Sequence, residues 1–134
     1  SVFEPKGEHG STFGGNALTC AAAYASTKYI LDNDIPAHAK AMGEYLEKGL
    51  NALKARHGFI TGVRGMGLLW AVDFDSDIAA SVYPACNAEG VLLGLLRPNS
   101  VRLMPPLTID EAEIDQGLER LERGLLKAVQ EAGR

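Results

Sequence analysis

The sequence predicts an α+β fold: a small three-stranded, largely antiparallel sheet with helices packed on one face, preceded by a long Ala-rich helix. Three observations carry this. Apolar residues recur every three or four positions over two long segments, 36–56 and 114–129. Two short apolar runs, 91–96 and 101–104, flank the turn Arg97-Pro98-Asn99-Ser100. A third apolar run, Leu68 to Val72, follows closely on Gly65 and Gly67. The 134 residues are 46% hydrophobic and 22% charged, which places the chain with folded proteins and excludes a disordered one.

The first sixteen residues read as irregular, with Pro5, Gly7, Gly10, Gly14 and Gly15. A helix then runs from Ala17 to about Leu31, rich in Ala, the strongest helix former. Its small side chains suit close approach to a neighbouring surface. Asn33-Asp34 interrupts it. Pro36 opens a second helix, which extends to about Arg56 with Ala39, Met42, Leu46, Leu50 and Leu53 on its apolar face. Val63 to Phe74 reads as a glycine-rich turn leading into a strand. Ser76 is the expected cap of a third helix, Asp77 to Glu89, which Gly90 ends. After the two short strands, Thr108 and Glu111 have capping-box spacing before the last helix. Ile114, Leu118, Leu121, Leu125 and Val129 form that helix's apolar stripe, and Asp110, Glu111 and Glu113 favour its positive N-terminal end.

Thirteen Lys and Arg against seventeen Asp and Glu leave a net charge of −4. No basic block stands out, so no nucleic-acid partner is expected. No apolar run reaches membrane-spanning length, so no membrane partner is expected. No apolar segment of signal-peptide type opens the chain. The first residue is Ser1 and not Met, which leads us to expect a partial or processed polypeptide. Cys20 and Cys86 form no CxxC pair and lack a His at metal-ligand spacing, so they read as reduced thiols packed on helices in a cytoplasmic protein, with no metal site.

Four ordered segments carry a resemblance across nearly the whole chain. Glu8-His9-Gly10-Ser11-Thr12-Phe13-Gly14-Gly15-Asn16, followed by the Ala-rich helix, resembles a signature of the class III aminotransferases, which are fold-type-I pyridoxal-phosphate (PLP) enzymes. Val63-Arg64-Gly65-Met66-Gly67-Leu68-Leu69, Glu89-Gly90-Val91-Leu92, and Val101-Arg102-Leu103-Met104-Pro105-Pro106-Leu107-Thr108 resemble later segments of the same family. The first segment is similar to the acetylornithine type. Ornithine, 4-aminobutyrate and aminoadipate-semialdehyde aminotransferases are relatives that the residues do not separate from it. Ala17 stands where the family usually has Pro.

The resemblance implies a division of the chain. Residues 1–16 would be a phosphate-contacting loop from the end of a large domain, 17–34 a helix bridging two domains, and 35–134 a C-terminal small domain. It implies PLP as cofactor, an amino acid and 2-oxoglutarate as substrates, and a homodimer. Thr12 and Ser11 would contact the PLP phosphate of the neighbouring subunit, for which hydroxyls and glycine-exposed backbone N–H groups are suitable. On composition alone the same two residues read as a turn and a helix cap. Arg102 would pair with the substrate carboxylate, since its planar fork binds a carboxylate through two hydrogen bonds. The competing reading of Arg102 is a strand-end salt bridge.

The family's Schiff-base lysine and the Asp facing the pyridine nitrogen lie upstream of the matched segments. None of the six lysines occupies that motif. Lys6 comes nearest, in a polar loop with no strand before it. The chain alone is therefore expected to be inactive. Arg64 is expected to orient the Gly65-Met66-Gly67 turn, and His9 to have a positioning role. His38 and His57 read as exposed helix residues. The alternative to an enzyme part is a stand-alone binding or relic domain without catalysis.

Overall fold

The computed structural model describes residues 11–133, so His9 and Lys6 lie outside the described residues. The chain divides into two compact units, Ser1–Asp34 and Ile35–Arg134. In the first, α1 spans Ala17–Asp32. Asn16 caps it: its Oδ1 accepts from the Thr19 N–H at 3.0 Å. Cys20 is exposed on this helix, and α1 buries none of its residues.

The second unit is α+β. It contains α2 (Ile35–Arg56), β1 (Ile60–Met66), β2 (Leu69–Phe74), α3 (Ala79–Ala88), β3 (Gly94–Arg97), β4 (Ser100–Leu103) and α4 (Glu111–Glu131). The sheet order is β1-β2-β4-β3, antiparallel throughout. Both edge strands carry a register shift, between Ile60 and Gly62 in β1 and between Leu95 and Arg97 in β3. α2 lies beside β1, α3 beside β3 and β4, and α4 against α2 and α3.

The sheet thus has four strands, not the expected three. The additional strand is β1, whose Gly62, Arg64 and Gly65 disguise it as a turn. Two further expectations are corrected. Ser76 does not cap α3. Its hydroxyl bonds to Asp75 at 2.9 Å, and the Ala79 N–H donates to the Pro98 carbonyl at 2.9 Å, so the β3–β4 turn supplies a partner at the helix start. The capping box of α4 is Asp110 with Glu113, not Thr108 with Glu111. Thr108 falls in a turn where the Ile109 N–H returns to Pro106 O at 3.1 Å. The strand expected over 91–96 is confined to 94–97 because the Val91 N–H folds back to Cys86 O.

The core lies between the sheet and the helices. Leu46, Leu50 and Leu53 of α2 meet Trp70, Val72 and Phe74 of β2, Val101 of β4, and Ile114, Leu121 and Leu125 of α4. Their alternation in β2 puts residues 70, 72 and 74 on the helix side and 69, 71 and 73 on the other. Two close backbone approaches set the helix positions. A Cβ on Gly43 of α2 would stand 2.1 Å from the Gly67 carbonyl oxygen, and one on Gly124 of α4 would stand 2.6 Å from the Cys86 sulfur. Gly67 opens the two-residue β1–β2 turn with φ +55°, a conformation that a side chain disfavours. Its carbonyl also accepts from the Trp70 Nε1–H at 2.7 Å.

Polar links between helices stand outside this core. Tyr45 Oη donates to Asp115 at 3.0 Å. His38 Nε2 lies 2.8 Å from Ile109 O, and His57 Nε2 lies 2.6 Å from Glu122 Oε1. Both histidines are therefore partly buried and partnered, not exposed as expected. Glu89, just past α3, is held by Arg123 at 2.8 Å and by Lys127. These two cations bring its carboxyl down to about 2. Burial pushes the Cys86 thiol up to about 11.

Two outcomes are expected. Gly43→Ala drives a methyl into backbone and should lower stability by about 1–3 kcal/mol, read as a reduced denaturant midpoint at unchanged slope. Glu89 has a lowered folded-state value, so its contribution is full above the ordinary value of 4.5 and is lost as pH falls from there to about 2. Glu89→Gln should remove that part of the acid decline, measured as denaturant midpoints across this window.

Candidate functional site

The face of the sheet turned away from the helices holds the charged groups. The ladder places Arg64 of β1 opposite Ala71 of β2, Ala71 opposite Arg102 of β4, and Arg102 opposite Gly94 of β3. One row thus crosses the sheet with an arginine on either side of Ala71. The row beside it pairs Gly62 with Asp73 and Asp73 with Ser100. Met66 and Leu69 pair at the turn end, both exposed. Arg64, Met66, Leu69, Ala71, Leu96 and Arg102 line an open concavity of about 420 Å³.

The two arginines differ in their partners. Arg64 is spent on Asp73, with Nε 2.9 Å from Oδ2 and Nη2 3.1 Å from Oδ1. Ser100, fully buried, donates its hydroxyl to the same Oδ1 at 2.6 Å. The Arg64 hydrogen bond, assisted by Ser100, holds the Asp73 carboxyl below the usual range against partial desolvation. Arg64 therefore does not orient the Gly65-Met66-Gly67 turn through a side-chain bond, as expected; it clamps β1 to β2. The Arg102 side chain is exposed and is in no hydrogen bond or ion pair among the described residues. A Cβ on Gly94 would lie 3.2 Å from its Nε and 3.3 Å from its Nη2, so the guanidinium rests over the bare backbone of β3. An unpartnered guanidinium beside apolar walls is suited to a carboxylate. The competing salt-bridge reading finds no partner for it among the described residues.

Asp73, Ser100 and Gly94 were not singled out from the sequence. A parity signal existed for Asp73: it is an odd-position residue in a strand whose even positions are core.

Ser11 and Thr12 belong to the other unit. Ser11 Oγ accepts from the Gly14 N–H at 2.9 Å, and Asn16 Nδ2 donates to Phe13 O at 2.6 Å. Ser11 thus makes the turn, and Asn16, not either hydroxyl residue, makes the cap. Thr12 is exposed, with its hydroxyl in no hydrogen bond among the described residues. Gly15 follows at φ +81°. The Thr12 hydroxyl, and the Ser11 proton, are left to donate. These donors fit a phosphate.

The described lysines are helical: Lys28 on α1, paired with Asp32, then Lys40, Lys48 and Lys54 on α2, and Lys127 on α4. Among the described residues no group of three His, Cys, Asp or Glu could hold a metal ion, and no helix is long and apolar enough to cross a membrane. A second concavity, about 390 Å³, lies among Leu46, Val91, Leu92, Met104, Ile109 and Leu118. Its one carboxylate, Glu113, is committed to the α4 capping box, so it converges no free polar groups.

A helix-backed antiparallel sheet presents an unpartnered arginine, Arg102, one strand-end before the Pro105-Pro106 exit. Comparison with known proteins assigns the family. Residues 1–125 match the aminotransferase class-III family model, and the chain belongs to that family. It is 41% identical over 128 residues to an acetylornithine aminotransferase of Nostoc sp., covering 92% of this chain and 30% of that protein. It is 39% identical over 123 residues to ornithine aminotransferase 2 of Staphylococcus aureus, covering 90% and 29%. The crystal structure of acetylornithine aminotransferase from Elizabethkingia anophelis superposes with a TM-score of 0.81 at 35% identity, covering 94% of this chain and 34% of that one. The chain therefore spans about a third or less of the relatives it matches.

Proposed function

We propose that this chain is the C-terminal part of a PLP-dependent transaminase. The enzyme would move the amino group of N-acetylornithine, or of a related amino acid that yields a semialdehyde, to 2-oxoglutarate in arginine or lysine biosynthesis. The observation that carries this reading is Arg102: an arginine without an ion-pair partner, in the matched segment before Pro105-Pro106, on the one sheet face that no helix of the unit covers. The similarity to acetylornithine and ornithine aminotransferases supports the substrate class.

In this reading residues 1–16 form the phosphate-contacting loop, 17–34 the bridging helix and 35–134 the small domain. When bound, PLP supplies the electron sink for chemistry at the α-carbon. Thr12 would hold the cofactor phosphate through its hydroxyl, and Ser11 would donate to it while keeping its turn bond from Gly14. Arg102 takes the substrate carboxylate through two parallel N–H donors, which fixes the direction of the amino group as well as its position. The lysine that holds the cofactor and moves the proton belongs to the rest of the polypeptide, so the chain alone is inactive. The phosphate loop serves a neighbouring subunit's site, which makes the enzyme a homodimer, and its setting is cytoplasmic.

The test begins with the native polypeptide bearing this sequence, isolated from its source cells. A chain roughly three times as long, with a PLP absorbance that borohydride fixes on a lysine, is the expected result. A native 134-residue species that binds no PLP overturns the reading and leaves a stand-alone domain. In the full enzyme, Arg102→Gln should lower kcat/KM for the amino-acid substrate by about 10- to 150-fold, the range of a hydrogen bond to a charged group at about 1.5–3 kcal/mol. Thr12→Val should weaken PLP retention on dialysis while leaving the carboxylate preference unaltered.

A further inference from the structure

The open sheet face carries two arginines in one row, yet only one of them is available to a ligand. Arg64 and Arg102 both pair with Ala71, from opposite sides, so their Cα atoms stand two strand spacings apart, roughly 10 Å. Arginine side chains reach far enough for both guanidinium groups to close on a small dicarboxylate over Ala71. Two features prevent this. Asp73, on the same face and braced by Ser100, takes both forks of Arg64. Gly94 leaves room for the Arg102 guanidinium to lie toward β3, away from Arg64. The flanking walls, Met66, Leu69 and Leu96, are apolar and offer nothing to a second negative charge.

We propose that Asp73 is a specificity-determining residue: by occupying Arg64 it restricts this wall of the site to a single carboxylate, carried by Arg102. The inference rests on the reading that Arg102 is the carboxylate group. It adds that a dicarboxylate gains no advantage here over a monocarboxylate of the same shape, and that its second carboxylate must be met by groups outside this concavity, whose lining does not include the exposed Arg97 of β3. Removing the charge of Asp73 releases Arg64 and turns the row into a two-arginine clamp.

The probes are glutarate and its monoamide, glutaramate, which are nearly identical in size and differ by one charge. The inhibition constant of each is measured against the amino-acid substrate on the full-length enzyme that carries this sequence. The wild-type ratio of the two constants is the reference for every variant. Asp73→Asn should tighten glutarate over glutaramate by about tenfold, the size of one hydrogen bond to a charged group, and adding Arg64→Gln to that variant should abolish the gain. A ratio that stays flat in Asp73→Asn, or a gain that persists without Arg64, overturns the proposal. Arg64→Gln alone gives a test that does not require Asp73→Asn to fold: the ratio should not move, and a fall would mean that Arg64 already serves the ligand, which also overturns it. Arg102→Gln separates the two levels. If it abolishes binding of both probes, the carboxylate reading holds, and a flat Asp73→Asn ratio then refutes the role of Asp73 alone. If binding survives Arg102→Gln, the carboxylate reading fails, and this proposal with it.

Discussion

The contact between the Gly67 carbonyl and the backbone of α2 at Gly43 governs the second unit. The β1–β2 turn can sit this close because Gly43 carries no Cβ, while Gly67 supplies the positive φ of the turn. Trp70 then donates its indole N–H to the same carbonyl, so a backbone acceptor pressed into a helix does not go unsatisfied. This single anchorage sets the height of the hairpin on α2. It turns the even residues of β2 into the core, and by strand alternation it turns Leu69, Ala71 and Asp73 outward. The position of Arg102 follows from that, because β4 takes its register from β2 through Ala71.

The outer face shows how a charge can be made available by occupying another. Asp73 accepts three hydrogen bonds, two from Arg64 and one from a buried Ser100. A carboxylate so engaged has little left to offer Arg102, although both stand on the same face of neighbouring strands. A bidentate pair also costs less conformational freedom per bond formed than a flexible lysine contact would. The arrangement separates a paired arginine from an unpaired one without separating them in space by more than two strands.

Much of this was legible in the sequence, and the failures have physical causes. The long helices were readable because burial on one side imposes a 3.6-residue period, and Leu46, Leu50, Leu53, Ile114, Leu121 and Leu125 are all core. The β3–β4 hairpin was readable from Pro98-Asn99. β1 was not, because two of its seven residues are glycines and it lies at a sheet edge with four exposed positions, so no alternation shows. The starts of α3 and α4 were misplaced for different reasons. Ser76 has the right chemistry for a cap, but the Pro98 carbonyl, remote in sequence, meets the α3 start. At α4 two candidate boxes of equal spacing overlap, and the turn from Pro106 to Ile109 leaves Thr108 outside the helix start while Asp110 and Glu113 close the box. Arg102, Ser11 and Thr12 were found through a resemblance. The partnering of Arg64 by Asp73, nine residues away, needed the register of a hairpin that the sequence did not reveal.

Both outer strands of the sheet carry a bulge, at Ile60/Gly62 and at Leu95/Arg97, and β3 ends against Pro98. A bulge breaks the even spacing of unpaired N–H and C=O groups and adds local twist, so another strand cannot zip along that edge. With Leu95 and Leu96 exposed on β3, a regular edge there would invite cross-strand growth between molecules. The same irregularities that blur the strands in the sequence thus keep a small, apolar-edged sheet from polymerising while its outer face stays open.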